Sequence, residues 1–201
     1  YKIKTDGSDY QILHEFNEEP DGQHPLDGLI SDGNYLYGTT GGGGAKSRGT
    51  VFRIKKDGAE YQTLHDMQGP PESSQSFNAL LLDAGYLYGT TILGGDHQGG
   101  VVFRLKTDGT DYNLLHEFDY ENEGSIPLTT LVALGDYLYG VCANSGLHDR
   151  GTIFRLHRNG SDFEVIHAFS QEPDGRDPVY SLTPFNGFLY GIAYDGGKFG
   201  S

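Results

Sequence analysis

Apolar and polar residues alternate in short runs along this chain, and clusters of Gly, Asp, Asn and Pro separate the runs. From residue 49, "GTVFRIK" alternates and is rich in β-branched and aromatic residues, which predicts a strand. "KDGAE" predicts a hairpin turn, because Asp and Gly accept the positive φ that such turns require. "YQTLHDM" is the next strand, "QGPPESSQ" a loop, "FNALLLD" a third strand, "AG" a turn and "YLYGTTI" a fourth strand. The Gly-rich "LGGDHQG" leads into the next "GVVFRLK". No segment sustains a helical period with caps, so almost no helix is expected.

This block recurs. His14, His65, His116 and His167 are each 51 residues apart, and so are Tyr37, Tyr88, Tyr139 and Tyr190. Asp6-Gly7, Asp57-Gly58, Asp108-Gly109 and Asn159-Gly160 keep the same step, as do Tyr1, Phe52, Phe103 and Phe154. A repeated four-stranded unit of this length predicts an all-β fold, a β-propeller of 51-residue blades. Both faces of "YLYGTT" carry apolar residues, as blades stacked side by side require and a half-exposed sandwich strand does not.

Charge narrows the partners. Lys and Arg number 14 against 28 Asp and Glu, a formal net charge of −14. Nucleic acid and anionic lipid bind through basic contacts, so neither is an expected partner. No apolar run is long enough to span a membrane. The aromatic content, 14 Tyr and 11 Phe, supplies enough apolar bulk to offset chain entropy. The lone Cys142 excludes an intramolecular disulfide and sits in the apolar "LYGVCANS", as expected of a buried inert thiol.

The run "LYGTTGGGG…GTVFRIKKDGAEYQTLHDM" resembles the Gloeo/Verruco-type tandem repeat, marked by GTVF, a DG turn and LYGTT followed by glycines. The resemblance covers essentially the whole chain. It is strongest at "GTVFRI" (49–54) and "YLYGTT" (35–40 and 86–91), and decays to "YLYGVC" at 137–142 and "FLYGIA" at 188–193. It implies a bacterial protein that is extracellular or at the cell surface, and hardly any chemistry. The unit is also similar to a kelch repeat. By that analogy "NALLLDA" is innermost, followed by "YLYGTT", "GTVFRIK" and, outermost, "YQTLHDM". The expected organisation is a single domain, 1–201, with blades at about 25–67, 76–118, 127–169, and 178–193 completed by 1–16. Pairing of the N- and C-terminal strands would close a four-bladed ring. A piece of a larger propeller, or a ring completed between chains, is the alternative.

Candidate sites are sparse. The four "LHxF"-type histidines would lie far apart on outer strands, where they cannot share one metal. Each is expected to serve its own blade, bonding a nearby strand or loop and packing on an aromatic. His24, His97, His148 and His157 do not repeat and read as surface residues. The loops "NEEPDGQHP", "DYENEGSIP" and "SQEPDGRDP" occupy equivalent places, whereas "QGPPESSQS" has one Glu only. Their acids Glu18, Glu19, Asp21, Asp119, Glu121, Glu123, Glu172, Asp174 and Asp177 form the candidate binding face, set against the plainer reading of a solvated acidic rim. Arg53, Arg104 and Arg155, with Lys2 in the first copy, and the repeated tyrosines are expected to pack blades. "GGGG" at 41–44 lacks the Lys-Ser/Thr and helix of a phosphate loop and reads as a flexible loop. Asn159-Gly160-Ser161 has the form of a glycosylation sequon but lies in the DG-type turn.

No catalytic residue, metal or cofactor is expected. No Gly-x-Ser-x-Gly occurs, and equal-length copies leave no long loop for an asymmetric active site. The expected function is a non-enzymatic structural or interaction module that binds a protein partner or itself. The alternatives are a glycan- or cation-binding lectin-like domain using the acidic face, and a polysaccharide hydrolase.

Overall fold

The computed structural model describes residues 1–72, 78–170 and 174–197, with the side chains of Glu18 and Leu26 outside that description. Three four-stranded antiparallel sheets follow one another along the chain. The first contains β1 (Gln23–Ser31), β2 (Tyr35–Gly42), β3 (Thr50–Lys55) and β4 (Gln62–Asp66), after the short turn α1 (Glu18–Asp21). The second contains β5 (Leu81–Asp83), β6 (Tyr86–Thr91), β7 (Val101–Lys106) and β8 (Asn113–Glu117). The third contains β9 (Val132–Leu134), β10 (Tyr137–Cys142), β11 (Thr152–His157) and β12 (Glu164–Ala168). Strand order in each sheet is the chain order, as the repeat predicts.

The register also repeats. Tyr37 faces Arg53, Tyr88 faces Arg104 and Tyr139 faces Arg155. A bulge recurs beside Phe52, Phe103 and Phe154 in the third strand of each blade. The hairpin turns explain themselves locally. Asp57 Oδ1 accepts the Ala59 N–H at 2.9 Å, Gly58 sits at φ 90°, and Lys55 N–H bonds the Ala59 carbonyl. Asp108 and Asn159 hold their turns in the same way.

The apolar cores lie between blades. One joins Tyr37, Val51, Leu64 and Met67 of the first blade to Leu80, Leu87, Phe103 and Leu105 of the second. The other joins Tyr88, Val102 and Phe118 to Leu131, Leu138, Phe154 and Leu156 of the third. Stacking therefore buries both faces of a blade, which is why "YLYGTT" is apolar on both sides. Cys142 is fully buried in the second core, and burial pushes its thiol pKa well up. No helix among the described residues is long and apolar enough to cross a membrane.

The fourth unit differs from the expectation. Residues 176–195 form only its inner half: β13 (Arg176–Pro178) pairs β16 (Ala193–Asp195), and β14 (Thr183–Phe185) pairs β15 (Phe188–Tyr190). Residues 1–16 form a hairpin held by the Lys2–Gln11 bridge. Among the described residues, no ladder joins this hairpin to β13–β16, so the expected closure of the ring within the chain is not seen. The hairpin instead packs on the first blade through Phe16 against Phe52 and His14 against Tyr61.

Candidate functional site

His65, His116 and His167 stand on β4, β8 and β12, with His14 at the equivalent place after the N-terminal hairpin, and each lies beside a carboxylate. His14 Nε2 lies 3.1 Å from Asp21, His65 3.1 Å from Glu72, His116 2.8 Å from Glu123 and His167 3.2 Å from Asp174. Each carboxylate lies seven residues downstream. An ionised carboxylate only accepts, so the imidazole N–H donates. The rings of His14, His65 and His116 then lie flat on an aromatic of the next unit. The centroid separations are 3.8 Å for His14 on Tyr61, 3.7 Å for His65 on Tyr112 and 3.6 Å for His116 on Phe163. The expectation that each histidine serves its own blade is therefore half right: the hydrogen bond stays in the unit, and the stack crosses to the next.

The carboxylates also tie down their loops. Glu72 accepts the Gln68 N–H and Glu123 the Asp119 N–H, both at 2.9 Å, and Asp174 accepts the Ser170 N–H at 3.1 Å. Burial alone would raise the Glu123 pKa, but the bonds from His116 and the Asp119 N–H outweigh it and hold the carboxyl below its ordinary value. Tyr61, which receives His14, donates its hydroxyl to the Asp21 carbonyl at 2.8 Å, and burial pushes its pKa up to about 12.

The candidate acidic face thus separates into parts. Asp21, Glu123 and Asp174 are histidine partners at the seams. Asp119 caps its loop by accepting Glu121 N–H and Asn122 Nδ2, and these bonds, that of Asn122 first, hold its carboxyl below the ordinary range. Asp177 lies 3.8 Å from Arg176, and its N–H donates to the Arg150 carbonyl. Glu121 is exposed. Glu19 is exposed and lines an open hollow of about 440 Å³ with Asn17, Gln23, Gly43 and Ser47. The side chain of Glu18 and all of Glu172 lie outside the described residues. Among the described residues, no three His, Cys, Asp or Glu side chains gather as a metal site.

Sequence reasoning passed over Glu72, the single acid of the second loop. The signal was present: Asp21, Glu72, Glu123 and Asp174 keep the 51-residue step of the histidines. The mixture of Asp and Glu inside acidic loops hid it.

The other repeated side chains are also engaged at blade positions. Arg53 and Arg104 lie over Tyr35 and Tyr86 and donate across the seam to the Thr107 and Arg158 carbonyls. Arg155 lies over Tyr137 and pairs with Glu164. Arg158 adds an ion pair to Asp83 of the preceding blade at 2.9 Å. The "GGGG" segment is not the free loop expected. It turns at Gly44, where a Cβ would meet Asp66 Oδ1 at 2.3 Å, and the adjacent Ala45 N–H donates to that carboxylate. On the same loop face, the N–H of Gly95 bonds the Pro71 carbonyl and that of Gly146 bonds the Tyr120 carbonyl, so Gly-rich and acidic loops are joined.

The family model of the Gloeobacter/Verrucomicrobia repeat matches residues 1–201. Among curated proteins, none matches the chain. Among solved structures, the chain is similar to one from a nidogen/laminin complex, with TM-score 0.58 and 17% identity over 87% of this chain and 57% of that one. It is also similar to a TolB candidate from Agrobacterium tumefaciens, with TM-score 0.47 and 14% identity over 73% of this chain and 46% of that one. The chain thus spans 57% and 46% of the lengths of these two structures. The first likeness shows the fold: all-β and β-propeller-like.

Proposed function

Because the chain belongs to the Gloeobacter/Verrucomicrobia repeat family along residues 1–201, we propose that it is a secreted or surface-displayed propeller that binds protein and turns over no substrate. Three complete four-stranded units, with partial units at 1–16 and 176–195, build it. The observation that carries this reading is apolar surface on joined loops of one face: Tyr120 and Leu147 are 52% and 68% exposed, and the Gly146 N–H bonds the Tyr120 carbonyl. Exposed apolar groups brought together in this way mark association surfaces. The side chains that recur with the repeat are meanwhile engaged in packing and in holding loops. Likeness in fold to a chain from a nidogen/laminin complex is compatible with protein binding.

A broad polysaccharide panel and cell fractionation test the reading. No turnover on the panel, and recovery of the natural protein from the envelope or medium, are the expected results. Hydrolysis of any glycan, or a purely cytosolic protein, overturns it.

One observation favours a second reading, a glycan- or cation-binding domain: the polar hollow beside Glu19. Calorimetry with Ca²⁺ and a glycan array on the wild type and Glu19→Gln decide it. A binding signal lost in the variant supports this lectin-like reading, and blank results remove it.

A further inference from the structure

Three arginines keep the 51-residue step, and their guanidinium groups are held alike. Arg53, Arg104 and Arg155 lie 4.6, 4.9 and 4.9 Å from the ring centroids of Tyr35, Tyr86 and Tyr137. Arg53 and Arg104 also give an Nη1 donor to a carbonyl of the next blade, that of Thr107 at 3.0 Å and of Arg158 at 3.1 Å. The remaining edge of each guanidinium, Nε with Nη2, is a fork of two donors that suits a carboxylate or amide oxygen.

Two of the three forks close on a residue of the adjacent outer strand. Arg53 Nε and Nη2 donate to Gln62 Oε1 at 3.1 and 2.8 Å. Arg155 Nε and Nη2 donate to Glu164 Oε2 at 2.9 and 2.6 Å. Each acceptor faces its arginine in strand register, and the same register sets Asn113 opposite Arg104.

Asparagine is one methylene shorter than Gln or Glu. The Asn113 Nδ2 donates instead to the carbonyl and Oδ1 of Asp111, both at 3.0 Å. Among the described residues, Arg104 Nε is buried without an acceptor, and the Asp111 carboxylate lies 4.0 Å from Nη2. Asp111 is held there by the Tyr86 hydroxyl, which donates to it at 3.0 Å. A buried donor left unpaired is costly, so the fork has a standing gain to make from an oxygen. The second blade has all four strands and a complete blade on each side, so the difference arises at residue 113.

We propose that Arg104 is a docking point for a carboxylate from outside the chain, which sets an oxygen on Nε and Nη2 as Glu164 does on Arg155. The stack on Tyr86 and the bond to the Arg158 carbonyl fix the fork in advance, which lowers the entropy cost of binding. The fork is charged and only donates, so its ligand is an anionic acceptor. Asn113 is exposed on β8, the outermost strand of its sheet, so the ligand reaches the fork past a surface side chain. A free carboxylic acid and an Asp or Glu of a partner protein offer the same group. The site lies at the hairpin-turn end of the blade, whereas Tyr120 and Leu147 lie on loops at the other end. It therefore stands or falls apart from the apolar face described above.

The probe is acetate, exchanged for chloride at constant ionic strength, with the Nε–H signals of the arginines followed by NMR. The Arg104 signal is expected to shift and saturate while those of Arg53 and Arg155 stay in place. Asn113→Glu supplies the oxygen from within, and the third blade already tolerates the same pair, Asp162 and Glu164. This variant is expected to bring the Arg104 signal close to that of Arg155 and to weaken acetate binding about tenfold or more. Asn113→Ala, which supplies no acceptor, is expected to keep the response. Circular dichroism of both variants should match the wild type. A capped Gly-Glu-Gly peptide separates the two sources: binding about tenfold or more tighter than acetate assigns a protein side chain, and equal binding a free acid. No shift at Arg104, an equal shift at all three arginines, or a response that survives in Asn113→Glu overturns the proposal.

Discussion

The ring of His65 lies 3.7 Å from that of Tyr112, with the two planes 6° from parallel. The two residues belong to successive units, and the same histidine is bonded to Glu72 of its own loop. One side chain therefore couples a loop to its strand and that strand to the next blade. The arrangement recurs at His14 and His116, so the seam is encoded in the repeat.

His116→Ala should lower stability by about 2–3 kcal/mol, from loss of the stack on Phe163 and of the donor to half-buried Glu123. His116→Phe keeps the stack and should cost less. Urea denaturation measures both, and equal losses for the two would show that the stack contributes nothing.

Acid should weaken the same seam. The folded pKa of Glu123 is lowered relative to its unfolded value, so its stabilisation is complete above the ordinary glutamate range. It is lost as pH falls through the lowered folded pKa. Melting curves of the wild type and Glu123→Gln should differ near neutrality and converge in acid. Glu121→Gln, at an exposed position, should track the wild type throughout.

Alanine at glycines of one unit position should discriminate complete from incomplete blades. Gly89→Ala places a Cβ 2.4 Å from the Phe103 ring and should cost about 1–3 kcal/mol. Among the described residues Gly191→Ala meets only Leu182, at 3.0 Å, and should cost under about 1 kcal/mol. Comparable losses in thermal unfolding would contradict this difference in packing.

Cys142 should resist thiol reagents until the third blade opens. It is fully buried and its thiol pKa is raised, so little thiolate exists to react. Labelling followed by mass spectrometry across a urea series should track unfolding. Prompt modification in buffer would show that the second core opens locally.

Strands, turns and period were legible because each rests on local chemistry. Asp57 and Gly58 make a turn wherever they fall between alternating runs, and Val51 to Lys55 make a strand. Histidine and arginine were rightly expected to pack. The carboxylate partners were not identified, because seven residues of loop separate His65 from Glu72 and no local rule brings them together. For the same reason Asp21 and Glu123 look like Glu121 in sequence and differ in what the fold places beside them.

By itself the sequence determined an all-β chain of equal four-stranded units, since backbone propensity and turn conformation act over a few residues. Only the tertiary structure decided that histidines join units and that, among the described residues, no ladder joins the hairpin at 1–16 to the inner strands at 176–195. The angle between stacked blades accumulates from every side chain in each seam, and no periodic pattern in the sequence records it.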